Sequence, residues 1–253
     1  MKTPAGHLVI LTGASRGLGH AMAQQLLADP QTQLLTISRH TSPDLAPTGG
    51  GRLEQWALDL AQAAEAAARV EAWLRERDPS AYAHASLVNN AALVTPPGPV
   101  DDTDTDTLVA SLRVGLEAPV LLTAAFLRAT RGWPARRRVL NISSGLGRRA
   151  MAATAPYCAV KAGLDNFSRA VALDEAQHPS GAKVVSLAPG VIDTDMQVQM
   201  RTADPSKFPD RPAFVGLHAQ GQLASPSAAA AKVLAYLERD DFGKNVLGDV
   251  RDA

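Results

Sequence analysis

A tyrosine, a lysine and a serine are spaced in this sequence so that together they could transfer a proton. Tyr157 and Lys161 are four residues apart, and Ser144 lies thirteen residues before the tyrosine. A Tyr-x-x-x-Lys pair places both side chains on one face of a helix, one turn apart. There the ammonium can lower the pKa of the phenol by stabilising the phenolate. A phenol, an ammonium and a hydroxyl together suit proton transfer to a carbonyl oxygen.

A glycine-rich turn near the start of the chain could bind a dinucleotide. The apolar residues 8–11 lead into Thr12, and glycines follow at Gly13, Gly17 and Gly19. Because glycine has no Cβ, the backbone of such a turn can approach phosphate oxygens closely. The helix that follows offers free N–H groups and the positive end of its dipole to a pyrophosphate. Together with the Tyr157 group, this turn predicts a nicotinamide-dependent carbonyl reductase.

The elements that must position these groups alternate between short β-rich runs and longer helical patterns. This alternation predicts an α/β fold, a single-domain doubly wound (Rossmann) seven-stranded parallel sheet with helices on both faces. The predicted strands are residues 8–12, 33–38, 53–58, 86–89, 138–143, 183–188 and about 244–248. The predicted helices are residues 17–28, 61–77, 105–130, 156–178 and 227–238. No repeat or linker marks a second domain, so one domain is expected over residues 1–253.

The motifs resemble the short-chain dehydrogenase/reductase family over nearly the whole chain. The family's Thr-Gly-x-x-x-Gly-x-Gly matches residues 12–19, and its Asn-Asn-Ala-Gly matches residues 89–92, where Ala92 replaces the last glycine. Its Pro-Gly segment matches residues 189–194. Within the family, the benzil reductase and sepiapterin reductase branch is similar at residues 141–145, 157–158, 193–197 and 237–242.

The resemblance implies a role for each member of the Tyr157 group. Ser144 would hold the substrate carbonyl oxygen, Tyr157 would protonate it, and Lys161 would lower the pKa of Tyr157 and bind the nicotinamide ribose. Ser143 is a competing candidate for the hydroxyl. The thirteen-residue spacing that the family shows favours Ser144.

The end of the second predicted strand indicates which nicotinamide cofactor binds. An acidic residue there would select NAD, but the sequence has Ser38 and Arg39, and Arg16 lies inside the glycine turn. Two guanidiniums without a nearby carboxylate fit a phosphate monoester, so NADPH/NADP+ is predicted. The predicted cofactor-binding residues are Gly13, Ser15, Arg16, Gly17, Leu18, Gly19, Arg39, Asp59, Leu60, Asn90, Ala91, Tyr157, Lys161, Pro189, Gly190, Ile192 and Thr194.

Asp59 has two possible roles. By resemblance it contacts the adenine, and by position it could be the N-cap of the helix predicted from residue 61. Both roles can hold together.

Two further features concern the substrate side. Residues 193–223 have weak periodicity and three prolines, which predicts an irregular loop that serves as a substrate lid. Gly115 stands where the family usually has an asparagine that anchors a water for proton relay. Either a water replaces the amide or the relay is impaired, and Gly115→Asn should then be tolerated. The alternative is that a neighbouring group fills the space and the asparagine overpacks it.

Composition limits the class of protein. Of 253 residues 46% are hydrophobic, and 25 basic residues balance 25 acidic ones, so the charge suggests no nucleic-acid or membrane partner. The single cysteine, Cys158, fits a reducing compartment and is expected to be a small buried filler. Residues 8–11 are too few for a signal segment or membrane span, and we expect a cytoplasmic protein with no metal site. The basic run 136–138 is interpreted as a solvated turn before a strand.

The leading hypothesis is an NADPH-dependent reductase of a ketone or α-diketone. Two alternatives stay open: a 3-oxoacyl-thioester reductase, and a non-catalytic NADPH-binding sensor or assembly protein, which Gly115 suggests. The resemblance also implies a homodimer or homotetramer in which the helices at residues 105–130 and 156–178 of two subunits pack together. Their apolar runs exceed what one sheet face buries.

Overall fold

Seven parallel strands form one sheet in the computed structural model, which describes residues 6–252. Their order is β3-β2-β1-β4-β5-β6-β7, which is the doubly wound arrangement. The strands are β1 (Gly6–Thr12), β2 (Thr32–Ser38), β3 (Arg52–Ala57), β4 (Tyr82–Asn89), β5 (Arg136–Ile142), β6 (Lys183–Ala188) and β7 (Leu247–Asp249). The predicted fold class is confirmed, and the predicted strands lie within a few residues of the observed ones.

The connecting segments are mostly helical. The α-helices are α1 (Gly17–Leu26), α2 (Ala63–Arg75), α3 (Thr105–Leu112), α4 (Ala118–Thr130), α5 (Ala155–Ala176), α6 (Asp195–Thr202), α7 (Arg211–Ala219) and α8 (Pro226–Glu238). A π-helical turn, Arg113–Glu117, joins α3 to α4, so the helix predicted at residues 105–130 is continuous but locally widened. Such turns often occur at functional sites.

The two faces of the sheet have separate hydrophobic cores. On one face, Trp73 of α2 and Phe126 of α4 pack over strand residues such as Leu87. On the other, Met22 of α1 and Val233 of α8 pack over the opposite side chains of the same strands. Strands buried on both faces read as nearly continuous apolar runs, which explains why the sequence located them well.

Two interpretations of individual segments are wrong. Residues 193–223 are not an irregular loop, because they include α6 and α7, whose packing buries Met200 and Phe208. The role of this segment as a substrate lid stays a prediction. The basic run is not a solvated turn, since it begins β5, and Arg137 and Arg138 are buried. The Arg137 guanidinium donates to Ser180 O at 2.6 Å, a carbonyl that the sequence pattern could not reveal.

The segment Thr105–Thr130 is long and apolar enough to cross a membrane by length and composition alone. In the structure it packs against α2 and the sheet, and it buries Ala118, Leu122 and Phe126 in the core. Core helices of soluble proteins meet the same criterion.

The topology fixes where a ligand can bind. The chain runs outwards in opposite directions from β1 and β4, which are neighbours in the sheet. In open parallel sheets, ligands occupy the crevice at the carboxyl ends of the strands at such a reversal. Thr12, Asn89 and Ile142 end their strands at this edge.

Candidate active site

Ser144, Tyr157 and Lys161 lie just beyond the carboxyl end of β5. Ser144 caps a short 3-10 helix, Gly145–Gly147, by accepting a hydrogen bond from Leu146 N at 3.2 Å. Helix α5 begins at Ala155, with Pro156 in its first turn. The backbone N–H groups of a first turn have no acceptor within the helix, so a proline, which has no N–H, is tolerated there. Tyr157 and Lys161 therefore face the strand end from the first turns of α5, as the sequence predicts.

Burial sets the protonation of both ionisable groups. Tyr157 is 6% exposed, and burial raises the pKa of its phenol to about 12, although the hydrogen bond from Ser144 acts in the opposite direction. Burial also lowers the pKa of Lys161 to about 8, and the Asp165 carboxylate opposes this shift. The phenol thus keeps its proton at neutral pH, which suits a proton donor.

The expected lowering of the Tyr157 pKa by Lys161 is wrong for this structure. The ammonium nitrogen lies 5.6 Å from the centre of the phenol ring and donates its hydrogen bond to Ile142 O at 2.7 Å. The ammonium is therefore held by the end of β5, and desolvation dominates the titration of the phenol.

The two adjacent serines have different environments. The Ser143 hydroxyl is buried and donates to Asp165 Oδ1 at 2.6 Å. Ser144 is only half-buried and is the serine that affects the pKa of Tyr157. Because Ser143 is already engaged by a carboxylate, Ser144 is the better placed hydroxyl for a substrate oxygen.

A cleft of about 820 Å³ opens at the same edge of the sheet. It brings together most of the predicted cofactor-binding residues, namely Gly13, Ser15, Arg16, Gly17, Leu18, Gly19, Arg39, Asp59, Leu60, Asn90, Ala91 and Thr194. Five other predicted cofactor-binding residues do not line this cleft, namely Tyr157, Lys161, Pro189, Gly190 and Ile192. Sequence reasoning missed several residues of the lining, which are Ile37, His40, Thr41, Leu58, Leu93, Val94, Val114, Asp195, Met196 and Gln199. Most of them follow a strand or belong to α6, whereas Ile37 lies near the end of β2 and Val114 lies in the π-helical turn.

The glycine turn is shaped by close packing against the end of β4. Gly13 has a φ of +72°, and an added Cβ there would lie 2.9 Å from Ala91 Cα. A Cβ on Gly19 would lie 2.1 Å from Gly13 O. Asn90 holds the turn by donating to Thr12 O at 3.0 Å. The residues present therefore form a backbone cradle of the kind that phosphate groups need.

The two arginines of the cleft differ in their partners. Arg16 Nη1 forms an ion pair with Asp195 Oδ2 at 2.7 Å, so the expectation that no carboxylate is near is wrong for Arg16. Asp195 is the first residue of α6 and is distant in sequence, which hid this contact. Arg39 is exposed, and within residues 6–252 no ion pair with it is found.

Asp59 is exposed at the cleft and accepts a hydrogen bond from Ala61 N at 3.0 Å. It is not the N-cap of α2, because this helix begins later, at Ala63, with Gln62 in the capping position. The adenine contact therefore stays as the predicted role of Asp59.

Gly115 lies in the π-helical turn and is packed against α5. A Cβ added to Gly115 would lie 2.6 Å from Val160 Cγ1. Of the two alternatives drawn from the sequence, the structure favours the one in which a neighbouring group fills the space.

Cys158, next to Tyr157, is half-buried rather than fully buried, with its Sγ 3.4 Å from Thr154 Oγ1.

Similarity to known proteins agrees with this geometry. The family model for short chain dehydrogenase matches residues 7–205. The chain belongs to this family. It is therefore an oxidoreductase with a Rossmann-like fold, in a family that uses nicotinamide cofactors.

Relatives within the short-chain dehydrogenase family cover nearly the whole chain. The chain is 32% identical over 241 residues to a benzil reductase ((S)-benzoin forming) of Bacillus cereus, covering 92% of this chain and 95% of that one. It is 30% identical over 249 residues to a sepiapterin reductase of Xenopus tropicalis, covering 93% and 92%. Among solved structures, the KRED1-Pglu enzyme superposes with a TM-score of 0.80 at 27% identity, covering 94% of this chain and 98% of that one.

Proposed function

We propose that this protein uses NADPH to reduce a ketone or α-diketone carbonyl to the alcohol. The observation that carries the proposal is the buried phenol of Tyr157, which keeps its proton beside Ser144 and Lys161. These residues lie at the carboxyl edge of the sheet, where the cleft of about 820 Å³ also opens. The similarity to benzil reductase and sepiapterin reductase supports a carbonyl substrate of this kind.

Each residue has a defined part in the proposed reaction. A reduced nicotinamide, when bound, supplies a hydride to the carbonyl carbon. Ser144 donates a hydrogen bond to the carbonyl oxygen, and Tyr157 transfers its phenolic proton to that oxygen as negative charge develops there. Lys161 would bind the nicotinamide ribose through its ammonium group.

The residues of the cleft fit the pyrophosphate part of such a cofactor, and the segment after β6 is proposed to bind its nicotinamide part. Gly13, Gly17 and Gly19 shape the turn for the phosphates, and the amino end of α1 adds its N–H groups and dipole. The segment after β6, with Pro189, Gly190 and Ile192, and the Thr194 hydroxyl would hold the carboxamide. Gly190 has a φ of +84°, a conformation that side chains other than glycine rarely adopt.

The preference for NADPH rests chiefly on Arg39. It is exposed at the cleft directly after β2, where an acidic residue would bind the ribose of NAD. Arg16 can add a second guanidinium if it exchanges Asp195 for a phosphate. Since both partners of that ion pair are largely exposed, the exchange should cost little.

The substrate class can be tested with a panel of purified compounds. NADPH consumption is followed by absorbance with benzil, with simple ketones and with a 3-oxoacyl thioester. Faster turnover of benzil supports the proposed function, and faster turnover of the thioester supports the alternative reductase. NADPH binding without turnover of any carbonyl compound would instead indicate a sensor or assembly protein.

We also propose a cytoplasmic homodimer or homotetramer. Val109 and Leu112 of α3 and Leu173 of α5 are exposed in the single chain, Leu173 by 70%. Exposed apolar side chains on these helices suit the packing of helices between two subunits. Light scattering should give at least twice the chain mass of 26.5 kDa at micromolar concentration, and the mass of one chain would contradict the proposal.

A further inference from the structure

A third polar residue continues the face of α5 that carries Tyr157 and Lys161. Asp165 lies four residues after Lys161 and is 3% exposed. Phenol, ammonium and carboxylate therefore occupy successive turns of one helix face. A carboxylate is almost never buried this far without charged or hydrogen-bonding partners, so its partners indicate what the burial serves.

Both oxygens of the Asp165 carboxylate hold the segment that contains Ser144. Oδ1 accepts a hydrogen bond from the Ser143 hydroxyl at 2.6 Å, and Oδ2 accepts one from Arg148 Nε at 3.4 Å. Ser143 directly precedes Ser144, and Arg148 directly follows the 3-10 helix Gly145–Gly147 that Ser144 caps. The carboxylate thus binds this segment on both sides of the candidate catalytic serine.

The same carboxylate connects the segment to the neighbouring strands. Ser186 of β6 donates to Asp165 Oδ1 at 2.6 Å, and Arg148 Nη2 donates to Gly248 O of β7 at 2.9 Å. The 3-10 helix Gly145–Gly147 also packs tightly on α5, because a Cβ added to Gly147 would lie 2.9 Å from Asp165 Oδ2. These contacts leave the Ser144 segment little freedom to move relative to α5.

The charge of Asp165 also acts on Lys161. Burial lowers the pKa of Lys161, and the Asp165 carboxylate raises it, so the carboxylate favours the ammonium form. The other charged groups on this side are Arg148, which bonds Asp165, and Asp249, which lies near Arg148 and is paired with Arg251. Asp165 lies next to Lys161 on its own helix face, one turn further along.

We propose that Asp165 is a positioning residue for the reaction: its carboxylate holds the Ser144 segment against α5 and supplies the counter-charge to the Lys161 ammonium. The inference rests on the proposed carbonyl reduction. Asp165 acts through Ser143 and Lys161 and touches neither substrate nor cofactor. Removing its charge should therefore impair the chemical step and leave the cleft intact.

The main test uses Asp165→Asn, which removes the charge and keeps the shape. With benzil as substrate, kcat should fall by about tenfold or more, as for a misplaced catalytic group, while KM for NADPH changes by less than about threefold. The fall in kcat at alkaline pH should begin at lower pH than in the wild type. A variant with kcat within about twofold of wild type would overturn the proposal.

Two further variants separate positioning from general destabilisation. Ser143→Ala breaks one bond to the Ser144 segment but keeps the carboxylate, so kcat should fall by about threefold with no change in the alkaline limb. Glu175→Gln is the matched control, because Glu175 is also a buried, hydrogen-bonded carboxylate of α5 but binds Arg131 and Ala182 N. It should lower Tm without changing kcat or the pH profile. If Asp165→Asn does not fold, an unchanged kcat in Ser143→Ala overturns the proposal.

A second readout does not depend on turnover. The titration of the Lys161 ammonium is followed by NMR in the wild type and in Asp165→Asn, without substrate. A lower midpoint in the variant supports the proposal, and an unchanged midpoint overturns it. If the wild type reduces no carbonyl compound, the proposed function fails, and the Lys161 midpoint still decides whether Asp165 is its counter-charge.

Discussion

Gly115 of the π-helical turn and Val160 of α5 are packed so closely that a Cβ on Gly115 would lie 2.6 Å from Val160 Cγ1. Val160 is buried and β-branched, so its side chain has no alternative position of low energy. The glycine is therefore explained by the packing of the π-helical turn on α5. This contact replaces the expectation that an asparagine would be tolerated at residue 115.

Gly115→Asn should lower the free energy of unfolding by ~1–3 kcal/mol, because the added side chain overpacks the contact with Val160. The measurement is chemical denaturation of the wild type and the variant. Gly115→Asn/Val160→Ala, which makes room for the side chain, should recover part of the loss relative to Val160→Ala alone. A Gly115→Asn variant as stable as the wild type would contradict the packing explanation.

The two serines at the end of β5 should differ in their effect on turnover. Ser144→Ala removes the hydroxyl proposed to hold the substrate oxygen, and kcat should fall by ~10²–10³-fold, as for an oxyanion donor. Ser143→Ala should be much milder, because its hydroxyl is bound to Asp165 rather than to the substrate. Steady-state kinetics with a diketone decide between them. The reverse ranking would show that Ser143 is the catalytic hydroxyl.

Arg39→Asp should reduce the preference for NADPH over NADH by about tenfold or more, roughly 1.4 kcal/mol, since it replaces a phosphate partner with a repelling charge. The measurement is the ratio of kcat/KM values for the two cofactors. Arg136→Asp is a suitable control, because Arg136 is also exposed but lies at the amino end of β5, whereas the cleft opens at the carboxyl ends of the strands. An unchanged ratio in Arg39→Asp would mean that the 2′-phosphate is recognised elsewhere.

Reduction should slow as the pH rises through about 8, the pKa to which burial lowers the Lys161 ammonium. Tyr157, with a pKa of about 12, keeps its proton over this range. Lys161→Arg should remove this alkaline limb from its residual activity, since a guanidinium stays protonated. A pH profile of kcat for both proteins provides the measurement, and an identical limb in Lys161→Arg would contradict the assignment.

The contribution of Lys161 to the stability of the fold should increase over the pH range in which the activity decreases. The pKa of Lys161 is about 8 in the folded protein against an ordinary value of 10.5, so the unfolded chain binds more protons between these values. The contribution of Lys161 to stability therefore increases as the pH rises through this window. Activity and this stability term thus change with opposite sign over the same pH range.

Local patterns were enough to predict the fold and most of the predicted cofactor-binding residues that line the cleft. Strands buried on both faces leave continuous apolar runs, and the Tyr157–Lys161 spacing and the glycine turn are short-range features. What the sequence could not give are contacts between distant segments. Arg16 pairs with Asp195, and Val160 fills the space beside Gly115, although in neither case are the partners near one another in the chain.

The electrostatic prediction failed for a related reason. Proximity in a helix suggested that Lys161 lowers the pKa of Tyr157, but burial depends on the surrounding fold and dominates both titrations. Only part of the proposed role of Asp165 can be inferred from the sequence. Its spacing from Lys161 continues the helix face, whereas its bonds to Ser186 and Arg148 require the sheet to be assembled.

The most direct test of the proposed function compares wild type and Tyr157→Phe in NADPH oxidation with benzil. The variant lacks only the proton donor, so turnover should fall by ~10²–10⁴-fold. NADPH binding, measured by calorimetry, should stay nearly unchanged, because the phenol ring and the cleft remain. A Tyr157→Phe variant that consumes NADPH within about twofold of the wild-type rate would contradict the account, since general acid catalysis by this phenol would then contribute almost nothing.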